Sequence, residues 1–232
     1  MKLKKFNSMN DLSDYASDLI IDEINQMPNL LLCTATGNSP TETYKKLVEK
    51  KQGFKTDKLR ILKLDEWGGI SPENPESCES YLQKNVIGPL QIHAENYIGF
   101  QSNTSIPENE ILKVRNYLDQ MGPIDICILG LGMNGHVALN EPNEILQPYC
   151  HLAQLSETTK THPMVKNMSE NPTYGLTIGM ADILQSQKII LIVCGKNKQQ
   201  IVNKLMEKKI TTSLPASFLW LHNRVECLIL DE

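Results

Sequence analysis

The stretch 124–142 reads IDICILGLGMNGHVALNEP and decides the fold. Residues 124–129 are apolar apart from one aspartate, which is typical of a strand covered on both faces of a sheet. Residues 130–142 hold three glycines, then His136 and Glu141, before Pro142. A buried strand that opens into a glycine-rich loop with a histidine indicates an α/β protein, because ligands of such proteins bind beyond the strand ends.

Four further apolar runs resemble this strand and alternate with helical patterns. The strand-like runs are 30–34, 59–64, 188–195 and 224–230, and the helical patterns are 10–26, 40–51, about 76–87, about 108–121 and 197–207. Strands that alternate with helices predict a mainly parallel sheet in a three-layer α/β/α sandwich. No internal repeat or linker interrupts the pattern, so we expect a single domain over residues 1–232.

The composition excludes several classes of protein. The chain has 232 residues, a formal charge of −4 and no run of about 18 apolar residues, so we expect no nucleic-acid partner and no membrane span. The first residues lack the apolar stretch of a secretory signal. The six cysteines form no C-x-x-C pair, which favours a reduced cytoplasmic protein. No cysteine, histidine or aspartate set has metal-ligand spacing, so we infer no metal.

The first strand is followed by ATGNSPTETY, which predicts the start of a helix. Ser39 fits the N-cap position, Pro40 the first helical position and Glu42 the S-x-x-E capping box. Free N–H groups at a helix start suit an anion, although a plain helix cap explains the same residues. The residues that could meet an anion here are Thr36, Gly37, Asn38 and Ser39.

The next strand ends in DEWGG, where Asp65 begins a glycine-containing loop. A partly desolvated carboxylate at a strand end is a candidate general base, and a surface aspartate in a turn is the alternative. The strand at 188–195 is followed by Lys198, close to a helix start, where a cation is unfavourable unless an anion shares the site. Lys160, His162 and Lys166 form a further basic cluster, which could supplement an anion site, although the sequence alone favours a solvated face.

The loop at 130–142 matches G-x-G-x-x-G as a pattern, but its context argues against dinucleotide binding. That fingerprint belongs to the first strand–helix turn and leads into a long helix, whereas Pro142 follows soon here. His136 can instead pass a proton near neutral pH, with Glu141 accepting its other N–H. No G-x-S-x-G or G-x-x-x-x-G-K-[ST] motif occurs. Together, the residues that follow the strands suit proton transfer on a small phosphorylated substrate.

Several motifs in this order resemble the amino-sugar-phosphate deaminase/isomerase family, which includes glucosamine-6-phosphate deaminase and, more distantly, the 6-phosphogluconolactonases. They are TATGNSPTETY, LDEWGG, GLGMNGHVALNEP, LTIGMADIL and TTSLPASFLWLH. The resemblance runs from about residue 10 to the end. It implies a Rossmann-like fold of the kind shared with ribose-5-phosphate isomerase and CoA transferase, an aldose–ketose isomerisation with loss of ammonia, and no cofactor.

The resemblance also implies roles for individual residues. Asp65 matches the base that moves a proton from C2 to C1, His136 the residue that assists ring opening, and Glu141 its acidic partner. The loop 36–39 matches the phosphate loop, and Lys198 a phosphate-binding lysine. The family's phosphate arginine falls near Val165 and Lys166, so Lys166 is the candidate replacement, as a point charge rather than a fork.

One departure concerns Asn134, which stands where glucosamine-6-phosphate deaminases carry an aspartate of the catalytic group. Asparagine removes a negative charge beside His136, and we hypothesise that this change accompanies the galacto configuration at C4. The motif combination of LDEW, G-x-N-G-H, H-x-x-Q-L and PASFLWLH resembles the galactosamine-6-phosphate branch most. That branch implies conversion of galactosamine 6-phosphate to tagatose 6-phosphate and ammonia.

Three alternatives stay open at this point. Glucosamine 6-phosphate could be the substrate, giving fructose 6-phosphate; the protein could hydrolyse a sugar-phosphate lactone; or it could be a non-catalytic sugar-phosphate sensor. A small-molecule sugar phosphate is the expected partner in each case. The family ranges from monomers to hexamers, which leaves a homo-oligomer open. The end at LILDE lacks the tail of allosteric deaminases, so we expect no allosteric activation.

Overall fold

A central parallel sheet and a smaller antiparallel sheet organise the molecule. The structure, a computed structural model, describes residues 1–161, 163–166 and 168–231. The strands are β1 (Lys2–Phe6), β2 (Leu31–Thr34), β3 (Arg60–Lys63), β4 (Asp65–Gly68), β5 (Tyr97–Ile98), β6 (Ile126–Gly130), β7 (His151–Ala153), β8 (Tyr174–Thr177), β9 (Lys188–Val193) and β10 (Val225–Leu230).

Helices connect most of these strands. They are α1 (Met9–Gln26), α2 (Asn38–Glu49), α3 (Cys78–Leu82), α4 (Gly88–Leu90), α5 (Pro107–Met121), α6 (Glu157–Thr161), α7 (Pro163–Lys166), α8 (Met180–Leu184) and α9 (Gln199–Met206). A π-helical segment, Gln83–Ile87, joins α3 to α4, and a 3₁₀ turn, Lys196–Lys198, leads into α9. None of the helices in the described part of the chain combines the length and apolar content that a bilayer-spanning helix requires.

The larger sheet has seven strands in the order β1-β10-β9-β6-β2-β3-β5, and every neighbouring pair is parallel. The predicted mainly parallel sheet is therefore confirmed. From β2 the chain builds outward through β3 and β5 on one side, and from β6 through β9 and β10 on the other. The strand order thus reverses between β2 and β6, and in open α/β sheets ligands bind beyond the strand ends at such a reversal.

The smaller sheet, in the order β4-β8-β7, is antiparallel and was not predicted from the sequence. Only Leu64 separates β3 from β4, so the chain passes directly from the large sheet into the small one. Asp65 is the first residue of β4 and lies opposite Thr177 of β8. The small sheet therefore fixes the backbone of the predicted base at the point where the two sheets meet.

The core lies on both faces of the large sheet. All residues of β2 are buried, as are Ile126–Leu129 of β6 and Ile189–Val193 of β9, because helices cover both sides. On α1 the buried positions Leu12, Ala16, Ile20 and Ile24 follow helical spacing and face the core. Burying a leucine or isoleucine side chain contributes about 1.5–3 kcal/mol, so the sheet and its helices support the strand ends firmly.

The start of α2 differs from the prediction. The helix begins at Asn38, Gly37 is the N-cap at φ 90°, and no side chain caps the helix. The predicted capping box from Ser39 to Glu42 is therefore wrong. Gly37 adopts a positive φ that few other residues tolerate, so the chain turns into the helix two residues early. Ser39 then lies in the first turn, where its hydroxyl accepts a hydrogen bond from the Cys194 thiol at 3.4 Å.

Candidate active site

One cleft brings together most of the predicted functional residues. Asp65, His136 and Lys198 all line it, as does the loop of Thr36, Gly37, Asn38 and Ser39. Its volume of about 350 Å³ is in the range of small-molecule pockets. The cleft opens beyond the ends of β2, β6 and β9, on the two sides of the reversal in strand order. It is therefore the candidate active site.

The first part of the site, which we call the lysine cluster, comprises residues 36–39 and 194–198. The carbonyl oxygen of Gly37 accepts hydrogen bonds from the hydroxyls of Thr41 at 2.7 Å and Tyr81 at 3.1 Å. The Tyr44 hydroxyl donates to the carbonyl of Ala35 at 2.8 Å. These bonds hold the loop from behind, and they leave the uncapped start of α2 at the cleft. A helix start of this kind suits an anion.

Lys198 is the anchored cation of the lysine cluster. Its ammonium group donates to the carbonyl oxygen of Leu131, in the loop after β6. Burial lowers the pKa of Lys198, and the nearby Cys194 opposes this only in part. Burial disfavours the charged form because the ammonium has lost water without gaining a counter-charge. An anionic ligand in the cleft would supply that counter-charge.

The second part, which we call the acid–base cluster, comprises Asp65 and His136 with Glu66, Asn134 and Glu141. Burial raises the pKa of Asp65 to about 7, and the neighbouring Glu66 carboxylate contributes to the rise. The Lys63 ammonium and a weak contact with the Cys78 thiol, at 3.9 Å, act in the opposite direction. A carboxylate whose pKa lies near neutral pH is well suited to act as a general base.

A buried charge network supports Asp65 from the core side. The ammonium of Lys63, 1% exposed, lies 2.7 Å from a Glu66 oxygen and 2.6 Å from a Glu79 oxygen. Glu66 is fully buried and also accepts backbone N–H bonds from Trp67, Cys78 and Glu79, each at 2.9 Å. The network thereby joins β3, β4 and α3. Sequence reasoning missed it, although a lysine inside the apolar run LRILKL was a visible signal.

His136 is oriented through Asn134 rather than directly by Glu141. The ring Nδ1 lies 2.7 Å from Asn134 Oδ1, whereas Glu141 Oε2 is 3.4 Å away. Asn134 Nδ2 donates to the same Glu141 oxygen at 2.7 Å. Because a carboxylate only accepts, the amide nitrogen must face Glu141 and the amide oxygen must face the ring. Nδ1 of a neutral His136 therefore carries the proton, and Nε2 carries the lone pair.

Glu141 stays ionised behind His136 and Asn134. Burial acts to raise the pKa of Glu141, but the nearby His136 and the hydrogen bonds from Thr159 and Asn134 outweigh it and lower the pKa to about 2. Thr159 lies on α6, lines the cleft and donates to Glu141 Oε1. Sequence reasoning did not identify Thr159, because nothing in the local sequence links α6 to residue 141.

Glycines make room for the histidine ring. A Cβ atom at Gly132 would overlap the ring atoms of His136, so only glycine fits beside the ring. Gly135 adopts φ 89° and turns the chain just before the histidine. Among the described residues, no group of three or more histidine, cysteine or acidic side chains is placed to hold a metal ion.

Of the basic cluster Lys160, His162 and Lys166, the two lysines lie outside the cleft wall, as the solvated-face alternative predicts. Lys166 is exposed and is not among the cleft residues, whereas the adjacent Val165 is. Lys160 pairs with Glu157 at 2.9 Å on the surface. His162 lies outside the described residues. A contact between Lys166 and phosphate therefore stays a prediction without support from its position. Lys196, which sequence reasoning did not single out, does line the cleft.

Comparison with known proteins finds matches over nearly the whole chain. Residues 5–228 match the model of the family described as glucosamine-6-phosphate isomerases/6-phosphogluconolactonase. AgaI of Escherichia coli strain K12, which is named as a deaminase, is 40% identical over 229 residues, covering 98% of this chain and 91% of AgaI. The glucosamine-6-phosphate deaminase of Clostridium acetobutylicum is 34% identical over 233 residues, covering 99% of this chain and 97% of the relative.

Solved structures extend the comparison. A monomeric glucosamine-6-phosphate deaminase superposes with a TM-score of 0.95 at 30% identity, covering all of this chain and 98% of the other. The 6-phosphogluconolactonase of Thermotoga maritima gives a TM-score of 0.79 at 16% identity, covering 100% of this chain and 99% of the other, and shares the fold alone. The chain therefore belongs to the glucosamine-6-phosphate isomerase/6-phosphogluconolactonase family, and its relatives at 30% identity or more place it among the amino-sugar-phosphate deaminases.

Proposed function

We propose that this enzyme converts galactosamine 6-phosphate to tagatose 6-phosphate and ammonia. The observation that carries the proposal is that Asp65, His136 and Lys198 line one cleft of hexose size. A base, a proton shuttle and an anion-binding cation in one small cavity suit proton transfer on a phosphorylated sugar. The loop 36–39 and Lys198 hold the phosphate in this proposal and thereby fix the position of the sugar carbons.

Ring opening falls to His136. A neutral ring protonated on Nδ1 presents the Nε2 lone pair, so His136 accepts the proton of the anomeric O1 hydroxyl and then delivers a proton to O5 as the ring bond breaks. The Asn134–Glu141 pair holds the proton on Nδ1 throughout, so the transferred proton moves only on and off Nε2. Glu141 stays ionised because its pKa is about 2, so the positive charge on His136 during the transfer is balanced.

Isomerisation and deamination fall to Asp65. The carboxylate takes the proton from C2 of the open-chain aldehyde, and a proton from the C2 ammonium group passes to O1, giving an enolamine with a hydroxyl on C1. Return of that proton to C1 gives a ketimine at C2. Water adds to the C=N bond and ammonia leaves, which yields the 2-keto sugar phosphate. A positioned base and acid of this kind contribute about 10²–10⁴-fold each to the rate.

The galacto epimer is supported by the motif combination of LDEW, G-x-N-G-H, H-x-x-Q-L and PASFLWLH, which resembles the galactosamine-6-phosphate branch. AgaI, at 40% identity, is named as a deaminase without a sugar, whereas the Clostridium acetobutylicum relative at 34% identity is named for glucosamine 6-phosphate. Glucosamine 6-phosphate, with fructose 6-phosphate as product, is the second candidate, because the similar solved structure is a glucosamine-6-phosphate deaminase.

Ammonia release from the two epimers, measured side by side, tests the proposal. We expect turnover with both and a higher kcat/KM for galactosamine 6-phosphate. A preference for glucosamine 6-phosphate would select the second candidate. Hydrolysis of 6-phosphogluconolactone without any ammonia release would make the protein a lactonase, and ligand-induced stabilisation without turnover would make it a sensor.

The role of Asn134 in epimer choice is tested by Asn134→Asp. Both polar atoms of the Asn134 amide are engaged by His136 and Glu141, so any effect on the C4 epimer passes through the histidine. We expect the substitution to reduce the preference for the galacto epimer. An epimer ratio equal to that of the wild type would refute the link between Asn134 and C4 configuration.

A further inference from the structure

Lys196 is a second cation in the lysine cluster that neither the sequence motifs nor the proposed mechanism uses. It is exposed, begins the 3₁₀ turn Lys196–Lys198, and lines the cleft together with Lys198 and residues 36–39. Within the described residues, none of the ion pairs involves Lys196 or Lys198; the neighbouring lysines on α9 and beyond lie outside the cleft. The lysine cluster therefore holds uncompensated positive charge.

The amount of this charge matches a phosphate monoester. Such a group carries about 1.5–2 negative charges near neutral pH. Lys198 supplies one positive charge, and the uncapped start of α2 supplies roughly half a charge more. One further cation completes the balance. Lys166 is the other candidate, but it lies outside the cleft wall, whereas Lys196 forms part of it.

The two lysines differ in how they are held. The Lys198 ammonium is fixed by the Leu131 carbonyl, and the start of the turn is fixed by the contact between Cys194 and Ser39 at 3.4 Å. Gly195, at φ 113°, turns the chain sharply between these two anchors. Lys196 projects from this anchored turn with an exposed side chain. Its side chain lines the same cleft as the start of α2, where the ligand phosphate is expected.

We propose that Lys196 is the second phosphate-binding cation of the cleft, and that it takes the place for which the family resemblance suggested Lys166. This inference rests on the proposed function insofar as residues 36–39 bind the substrate phosphate. Lys198 sets the position of the phosphate, and Lys196 neutralises its second charge from the rim. The ligand class is a sugar phosphate monoester in its dianionic form.

The test compares Lys196→Met with Lys166→Met and with Lys204→Met, a control on the exposed side of α9. Exposed charge-assisted contacts are modest, so we expect KM for the amino-sugar phosphate to rise about threefold to tenfold in Lys196→Met while kcat stays within about twofold. The inhibition constant for inorganic phosphate should rise by the same factor. Lys196→Arg should restore most of the affinity. Lys204→Met and Lys166→Met should behave as the wild type.

Phosphate affinity is also measured directly, by calorimetry with glucitol 6-phosphate and with inorganic phosphate. This readout separates the two proposals, because absence of turnover in the wild type would overturn the proposed function alone. Equal affinity of Lys196→Met and Lys204→Met for both ligands would overturn the role of Lys196. A loss confined to Lys166→Met would overturn it as well and would return the second charge to Lys166.

Discussion

The lysine cluster and the acid–base cluster share one cleft but are assembled in different ways. The lysine cluster consists of two short contiguous stretches, each following one strand of the large sheet. The acid–base cluster depends on side chains that meet across the chain, such as Lys63 with Glu79, 16 residues apart, and Glu141 with Thr159, 18 residues apart. The first cluster presents backbone N–H groups, the half-buried Lys198 and the exposed Lys196 to a ligand, whereas the second relies on burial and shared hydrogen bonds.

This difference has a physical consequence. Single substitutions of the exposed groups in the lysine cluster, such as Lys196, should weaken binding by small factors, because solvent and neighbouring donors compensate. Single substitutions in the acid–base cluster should have large effects, because a buried charge or a committed hydrogen bond has no substitute. Substitutions in both clusters can test this contrast, from the largest expected effect to the smallest.

Removal of the base should produce the largest effect. Asp65→Asn keeps the shape of the side chain but cannot accept the C2 proton, so we expect turnover to fall by about 10³-fold or more. Binding of the substrate should change by less than about threefold, since the lysine cluster is intact. Ammonia release and calorimetry measure the two quantities, and Asp57→Asn on the surface is the control. Near-normal turnover in Asp65→Asn would mean that another group is the base.

The same variant should be more stable than the wild type at alkaline pH. The pKa of Asp65 is about 7 in the folded protein, against an ordinary value of 3.8. Between these values the folded state holds a proton that the unfolded state has lost, so stability falls as pH rises and the buried carboxylate forms. The amide that replaces the carboxylate carries no charge at any of these pH values. The melting temperature of Asp65→Asn should therefore exceed that of the wild type at pH 8 by more than it does at pH 4.

The buried ion pairs of Lys63 with Glu66 and Glu79 should make a large contribution to the free energy of unfolding. Lys63→Met removes the cation between two glutamates and leaves Glu66 buried without its ion-pair partner. Removing one partner of a buried ion pair lowers the free energy of unfolding by about 3–5 kcal/mol. Urea unfolding measures this loss, and Lys45→Met, which breaks only the exposed pair with Glu42, should cost less than about 1 kcal/mol. Equal losses in the two variants would show that the buried network carries no special stabilisation.

Much of the lysine cluster was predictable from the sequence because it consists of short contiguous stretches that follow strands. Apolar runs and the residues that follow them are local features, and parallel strands carry those residues to one edge of the sheet. Residues 36–39 and Lys198 of the lysine cluster were identified in this way, and so were Asp65 and His136 of the acid–base cluster, which also follow strands. The supports were not, because pairing between distant residues leaves no periodic pattern. Lys63, Glu79 and Thr159 each contact a partner that only the folded chain brings near.

β1 and the small sheet are among the elements that escaped prediction, and the reasons are related. β1 has four exposed residues out of five, and its sequence KLKKF lacks the apolar run of the central strands. Its pairing with β10 joins the two ends of the chain. The small sheet is built from strands of three or four residues, too short for alternation to be recognised.

The pH dependence of kcat/KM tests whether the acid–base cluster is buried, and the expected effect is of moderate size. Asp65 must be ionised to act as a base, so kcat/KM should fall below about pH 7, by tenfold per unit, as the carboxylate gains a proton. Glu141, with a pKa of about 2, stays ionised throughout this range. A profile recorded from pH 5 to 9 provides the measurement. A kcat/KM that stays level down to pH 5 would mean that Asp65 is less desolvated in solution than its burial indicates.

The smallest expected effect lies in the lysine cluster and concerns Ser39. A serine at an N-cap contributes about 1 kcal/mol, and Ser8 does so for α1, because its hydroxyl accepts from the Asp11 N–H at 3.1 Å. The Ser39 hydroxyl accepts a hydrogen bond from the Cys194 thiol and none from a backbone N–H of α2. Removing this hydroxyl therefore leaves no N–H group of the helix without its partner. Ser8→Ala should therefore lower the free energy of unfolding by about 1 kcal/mol, whereas Ser39→Ala should change it by less than about 0.5 kcal/mol. A loss in Ser39→Ala as large as that in Ser8→Ala would restore Ser39 as the cap of α2. It would also mean that the hydroxyl serves the helix rather than the ligand, and the start of α2 would then be a weaker anion site than proposed here.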